Sequence, residues 1–262
     1  MLLLGPAMVG GQYSEPAMRI WPRLPSFSGA SLVGRWSLAG ACLVCGAWSS
    51  GACCAACVAR YVAKPARCQS CAIEVSVGLS RCGACVLEAP PQTHTVAALD
   101  YRYPWDGLIH RFKYHAAPEL AGPLAERLFA PVAHAMSLGM ARPDWLLPVP
   151  LSPGRLRERG YNQAWELARQ LGRAAGVPAR ADALLRLPEA GHQQGQSRQQ
   201  RLQLVRGAFA VAPQAVAALR GCRVALVDDV YTTGATAQAL AATVLRAGAA
   251  EVQVWVLART PH

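Results

Sequence analysis

The chain is arranged around four residues without a polar position, 224–227, the pattern of a strand buried on both faces. Asp228 and Asp229 stand where that apolar run ends. A short loop of small and hydroxyl-bearing residues follows. Residues 238–247, rich in Ala and Leu and closed by Gly248, read as a helix. Upstream, 145–149 reads as another buried strand, with Pro148 and Pro150 removing N–H donors and setting a rigid turn. Residues 164–175 read as a helix, 208–211 as a strand and 252–257 as a last strand ending at Ala258 and Arg259. Leu108, Ile109 and Phe112 recur at helical spacing and predict an amphipathic helix over 105–115. Residues 120–140 read as a second helix, with Pro131 as its kink point. From residue 145 the order strand, helix, strand, strand, helix, strand implies an α/β fold with a mostly parallel sheet covered on both faces. Ligands of such sheets bind at the carboxyl ends of the strands, where 149–151 and the two aspartates would lie.

The front of the chain differs. Residues 1–40 are rich in Gly, Pro and Ser, with scattered Trp21, Phe27 and Trp36, and read as a loose tail; Met18 is an alternative start. The apolar opening has no basic residue before it and breaks at Gly5-Pro6, so it makes a poor secretory signal. Residues 41–88 hold the cysteines, 88–92 read as a linker, and the α/β region is expected over 96–262. No apolar run reaches the roughly 20 residues that span a bilayer. The 53% hydrophobic content therefore belongs to a buried core.

The formal net charge is +11. Residues 1–95 hold 7 Lys/Arg against 3 Asp/Glu, and the remainder 19 against 12, so the excess is spread along the chain. It suits an anionic partner, phosphate or nucleic acid. A compositional preference for Arg is the other explanation, since Lys64 and Lys113 are the only lysines.

Nine of the ten cysteines fall between Cys42 and Cys85; Cys222 lies apart. Eight of the nine form four Cys-x-x-Cys pairs. A two-residue gap lets one tight turn supply two thiolates, and two such turns make a tetrahedral zinc site. The spacing predicts two structural zinc sites, one from Cys42, Cys45, Cys54 and Cys57, the other from Cys68, Cys71, Cys82 and Cys85. Cys53 is an alternative to Cys54, although Cys54 keeps the two-residue gap. Gly46 and Gly83 are expected in the knuckle turns. A redox motif would stand once beside a βαβ pattern, whereas four pairs stand here without one. The weak signal also argues for a reducing compartment, the cytoplasm.

The loop Thr232, Thr233, Gly234, Ala235 and Thr236 at a helix start offers backbone N–H groups, hydroxyls and the positive end of the helix dipole, a phosphate site. The aspartates before it can accept hydrogen bonds from neighbouring sugar hydroxyls. A ribose 5-phosphate satisfies both halves. Arg155, Arg157 and Arg159, after the strand-ending turn of Pro148 and Pro150 and beside 160–163, suggest a second anion site suited to arginine forks. The polar segment 191–201 would act as a lid carrying Arg198 and Arg201. Lys113 reads either as a solvated helix-end cation or as a phosphate contact. His110 and His115 read as surface residues.

The run 224–236 resembles the phosphoribosyl pyrophosphate (PRPP) signature of type I phosphoribosyltransferases. Cysteine knuckles, that signature, and the stretches 108–114, 148–163 and 206–209 together resemble the ComF family over residues 42–259. The resemblance implies a type I phosphoribosyltransferase-like parallel sheet with helices on both faces, preceded by a small double zinc ribbon. It implies PRPP with Mg2+ as ligand. Asp228 and Asp229 would hold the ribose and 232–236 the 5-phosphate. Ser152, Arg155 and Arg159 would face pyrophosphate, with Arg201 closing over it. It also implies a cytoplasmic protein linked to DNA uptake and competence. In the polar segment Gln196, Gln200 and Leu204 take places the family usually gives to Leu, Glu and Asn, while Ser197, Arg201 and Arg206 persist. Two functions remain open. One is transfer of phosphoribosyl from PRPP to an unnamed acceptor. The other is binding of single-stranded DNA or a DNA-uptake partner, with the PRPP pocket regulatory or vestigial.

Overall fold

The computed structural model describes residues 40–63, 65–187 and 207–261. The expected tail and the polar segment with Arg198 and Arg201 lie outside these residues.

The chain enters through two small cysteine units. The first has a short antiparallel pair, β1 (Gly40–Ala41) with β2 (Trp48–Ser49), then helix α1 (Ala55–Tyr61). The second ends in helix α2 (Gly83–Leu87). Strand β3 (His94–Asp100) follows, then α3 (Trp105–Tyr114), α4 (Ala121–Ser137), β4 (Trp145–Pro148), α5 (Pro153–Arg159) and α6 (Gln163–Ala175). The chain continues through β5 (Leu184–Arg186), β6 (Phe209–Val211), α7 (Pro213–Leu219), β7 (Arg223–Tyr231), α8 (Ala235–Arg246) and β8 (Glu251–Arg259).

The main sheet has the order β3-β8-β7-β4, and all its ladders are parallel. Its two faces separate by alternation along β7, because successive side chains of a strand point to opposite sides. Ala225 and Val227 join the core built with α3, α4 and α6, while Val224 and Leu226 join the core built with α7 and α8. No helix among the described residues is long and apolar enough to cross a membrane.

Three elements depart from the expectation. Strand β3 forms an edge of the sheet upstream of residue 145; its Ala97 and Ala98 carry little β signal, and pairing with β8 supplies what propensity does not. The strand expected at 208–211 is not in the main sheet: β6 pairs antiparallel with β5 as a separate two-stranded flap. The second expected helix is present, with Pro131 inside it, but stops at Ser137, three residues short of the expected end.

Candidate functional site

Strand β7 does not end at Val227. It continues through both aspartates to Tyr231, because β8 runs equally far: Asp228 lies opposite Val256 and Tyr231 opposite Arg259. Adjacent strand residues diverge, so the carboxylates face different neighbours. Asp229 meets α3, where Lys113 Nζ lies 2.9 Å from its Oδ1. The backbone N–H of Asp229 donates to Asp228 Oδ1 at 2.8 Å. Burial first, and then the neighbouring Asp229 charge, push the Asp228 carboxyl up to about 7. That N–H, Lys113 and Arg159 oppose the shift. The pair therefore offers a carboxylate held by a lysine beside a carboxyl that resists ionisation, both at the carboxyl edge of the sheet. Lys113 is not the solvated helix-end cation of the first reading: it is mostly buried and salt-bridged to Asp229.

The loop after β7 is fixed by stereochemistry. Gly234 has φ +82°, a left-handed conformation, and a Cβ there would collide with the hydroxyl end of the Tyr231 side chain. Only glycine meets both demands. The chain can then turn at once into α8, whose first turn presents backbone N–H groups. Thr233 Oγ1 accepts one of them, from Ala235, at 3.4 Å. Thr232 and Thr233 are exposed, and Ala235 and Thr236 are half-buried.

The arginines lie on a helix that the sequence reading did not assign. Ser152 caps α5, accepting the Arg155 N–H at 3.3 Å, and Gly160, at φ +78°, ends it. Helical spacing places Arg155 and Arg159 on one face and turns Arg157 away. Arg155 is exposed. Arg159 folds back, donating to Gln163 Oε1 at 3.0 Å and to the Tyr114 hydroxyl at 3.2 Å, with its guanidinium 4.8 Å over the Tyr114 ring. Arg159 and Lys113 thus form the cationic border of the aspartate pair.

The segment 160–163 is mainly a clamp for this border. The Tyr161 hydroxyl donates to the Phe112 carbonyl. Asn162 caps α6 through Oδ1 and donates to the Val149 carbonyl at 3.0 Å. Gln163 is buried and reaches both Arg159 and the Lys113 carbonyl. The sequence reading did not assign Tyr114 and Gln163; their signal was proximity to Lys113 and Arg159 within the matched stretches.

The cysteines gather as two clusters, Cys42/Cys45/Cys54/Cys57 and Cys68/Cys71/Cys82/Cys85, the sulfurs of each within 4.8 Å of one another. Cys45 to Cys54 and Cys71 to Cys82 are both 3.7 Å. A metal bound to four sulfurs at about 2.3 Å has edges of about 3.8 Å, so the donor sets fit a tetrahedral ion. In each cluster the first pair sits on a knuckle and the second opens a helix, with Cys54 and Cys82 at the N-caps. Burial pushes the Cys42 thiol up, but the N–H groups of Cys54, Cys45 and Val44 outweigh it and hold it at about 6. Cys53 turns toward the core under α3, and its burial pushes its thiol up to about 11, so Cys54 is the cluster member.

The knuckle glycine expected at Gly83 is a helix residue instead. The counterpart of Gly46 is Ala72, at φ 56°, and the two make the same turn, Gly46 N–H to Cys42 O at 2.9 Å and Ala72 N–H to Cys68 O at 2.8 Å.

A cleft of about 760 Å³ runs between the second cysteine unit and α8, with Cys82, Pro90, Gln238 and Arg246 along it and Tyr231, Thr233 and Ala235 at the loop end.

A parallel sheet with helices on both faces and four-cysteine units in front make a type I phosphoribosyltransferase-like fold. No family model matches the chain. The DNA utilization protein YhgH of Escherichia coli K12 is 32% identical over 194 residues, 74% of this chain and 84% of that protein. Competence protein F of Haemophilus influenzae is 33% identical over 193 residues, 73% of this chain and 84% of that protein. The chain belongs to the ComF family, to which these DNA utilization and competence proteins are its relatives. Among solved structures, the allosteric regulatory enzyme of purine biosynthesis is similar at 21% identity and a TM-score of 0.36, over 56% of this chain and 29% of that one.

Proposed function

We propose that the chain binds PRPP at the carboxyl edge of β7. One observation carries the reading: two carboxylates and a loop that only glycine can form follow one another on a single strand–loop–helix. A ribose 5-phosphate needs hydroxyl acceptors beside phosphate donors, in that order of reach. Asp228 and Asp229 accept from the ribose hydroxyls. Thr232, Thr233, Gly234, Ala235 and Thr236 hold the 5-phosphate. Ser152, Arg155 and Arg159 face the pyrophosphate, which travels with Mg2+; Arg201 lies outside the described residues and joins this set on the family resemblance alone.

With both phosphate ends held, departure of pyrophosphate leaves positive charge on the ribose ring, next to the carboxylates. Holding geometry and stabilising that charge is the work such a site does in phosphoribosyl transfer. The acceptor is the open part of the reading. The two cysteine clusters hold zinc as structural ions, since four thiolates leave no open position.

A second reading is favoured by the relatives, whose names attach them to DNA utilization and competence. In it the PRPP pocket regulates a cytoplasmic protein that handles single-stranded DNA or a DNA-uptake partner. Calorimetric titration with PRPP and Mg2+, followed by assay of released pyrophosphate, tests both. Binding with release on adding an acceptor supports transfer, and binding without release supports a sensor. Asp228→Asn with Asp229→Asn should weaken PRPP at least a hundredfold while thermal unfolding stays cooperative. Unchanged affinity in that double variant rejects the ribose assignment.

A further inference from the structure

The two cysteine units carry the same donors and are fastened differently. The first packs Leu43, Val44, Cys53 and Tyr61 against the core under α3. Among the described residues, one hydrogen bond joins it to the body, from Trp105 Nε1 to the Tyr61 carbonyl at 2.9 Å.

The second is gripped through its backbone. The four consecutive carbonyls of its knuckle, residues 69–72, all accept hydrogen bonds. Gln69 O takes the Thr95 N–H at 2.6 Å. Ser70 O takes the Thr95 hydroxyl at 2.7 Å and Gln92 Nε2 at 3.0 Å. Cys71 O takes Arg259 Nε at 3.1 Å, and Ala72 O takes Arg67 Nη1 at 3.1 Å, while Arg67 pairs with Asp100 of β3 at 2.8 Å.

Two of these donors reach onward to Tyr231. Arg259, 3% exposed, also donates Nη1 to the Tyr231 carbonyl at 3.3 Å and stacks 5.2 Å from its ring. Gln92, 2% exposed, also lies 3.3 Å from the Tyr231 hydroxyl. Tyr231 is the residue whose ring leaves room only for glycine at 234. A continuous set of buried contacts therefore leads from the knuckle of a four-thiolate cluster to the pivot of the anion loop.

We propose that the second cysteine unit is the brace of this loop, with Arg259 and Gln92 as positioning residues, so that loosening the second unit, and not the first, weakens the loop's hold on a phosphate. The proposal rests on the PRPP reading only for the identity of the ligand. The physical reason is that Gly234 frees the loop to adopt many conformations, and Tyr231 is what selects one. A fixed Tyr231 needs a fixed guanidinium, and the guanidinium is fixed by a peptide carbonyl that the cluster holds in place. Metal at Cys68, Cys71, Cys82 and Cys85 would stiffen the whole set.

The test compares Arg259→Lys and Gln92→Leu with Trp105→Phe, which cuts the tie of the first unit. Amide exchange of residues 232–237, needing no ligand, is the first readout. We expect it to rise about tenfold in Arg259→Lys and in Gln92→Leu, the scale of one lost buried hydrogen bond, and less than twofold in Trp105→Phe. PRPP affinity should fall in the same ratio, with two metals retained per chain. With cobalt(II) in the clusters, PRPP should perturb the visible bands of the wild type and lose that effect in Arg259→Lys. A packing role alone would not produce that signature.

Unchanged loop exchange in both Arg259→Lys and Gln92→Leu overturns the brace, as does an equal rise in Trp105→Phe. If the wild type takes up no PRPP, the PRPP reading fails and the exchange comparison still decides the brace.

Discussion

The two halves of the candidate site lie on consecutive residues and are built by opposite means. The aspartate half is electrostatic: its carboxyls are held together at the cost of burial and repulsion, offset by Lys113 and Arg159. The loop half is stereochemical: no charged side chain stands in it, and Tyr231 with Gly234 sets its path. The first should therefore respond to pH and to charge, the second to volume and backbone freedom.

The largest effect is expected in the loop. Gly234→Ala puts a side chain at φ +82° and against the hydroxyl end of Tyr231. Left-handed strain and overpacking together should destabilise the chain by about 2–4 kcal/mol. PRPP binding should be lost as well, both read by thermal melting and calorimetry across pH. If the loop half is purely stereochemical, the loss has no pH dependence; a loss that grows with pH would mean the loop is coupled to the aspartates.

Lys113→Met comes next. Removing one partner of a mostly buried ion pair leaves Asp229 without its cation, which should cost about 1–3 kcal/mol near neutral pH. Lys113→Arg should recover most of it. A melting temperature that is unchanged at pH 7 would show the pair to be worth no more than a surface one.

Much of this arrangement could be read along the chain, and what could not has identifiable causes. The strands at 145–149, 224–227 and 252–257 and the helix at 164–175 declare themselves through continuous or periodic apolar positions, and the structure places all but the end of the second close to those limits. Strand β7 hides its last four residues because two aspartates break the apolar pattern; it continues only because β8 is there to pair with it. Helix α5 was masked by its glycine and run of arginines, although Ser152 before Pro153, and Gly160 at the end, were a cap, a first-turn proline and a stop in plain sequence. The Lys113–Asp229 pair joins a helix to a strand far apart in the chain, so neither local pattern contains it. Gln92 sat at the end of an apparent linker, and only its burial against Ser70 and Tyr231 reveals an anchor.

The smallest effect separates the halves most cleanly. An unfolded aspartate loses its proton near pH 4, whereas Asp228 in the fold keeps it up to about 7. Between those values the folded chain binds more protons than the unfolded one. Stability contributed by this group is therefore highest below pH 4, falls as pH rises through 7, and is lowest above it. Asp228→Asn removes the cost of ionising the half-buried group while keeping its shape. At pH 8 the single variant should be more stable than the wild type by roughly 1–3 kcal/mol, and the gain should vanish near pH 4. The same variant should bind PRPP more weakly, since an amide is a poorer acceptor for a ribose hydroxyl than a carboxylate. A gain in stability together with a loss in binding would mean that the aspartate half is kept strained for its ligand. No gain at pH 8 would mean that the neighbouring cations already neutralise Asp228, and the contrast between the two halves would rest on the loop alone.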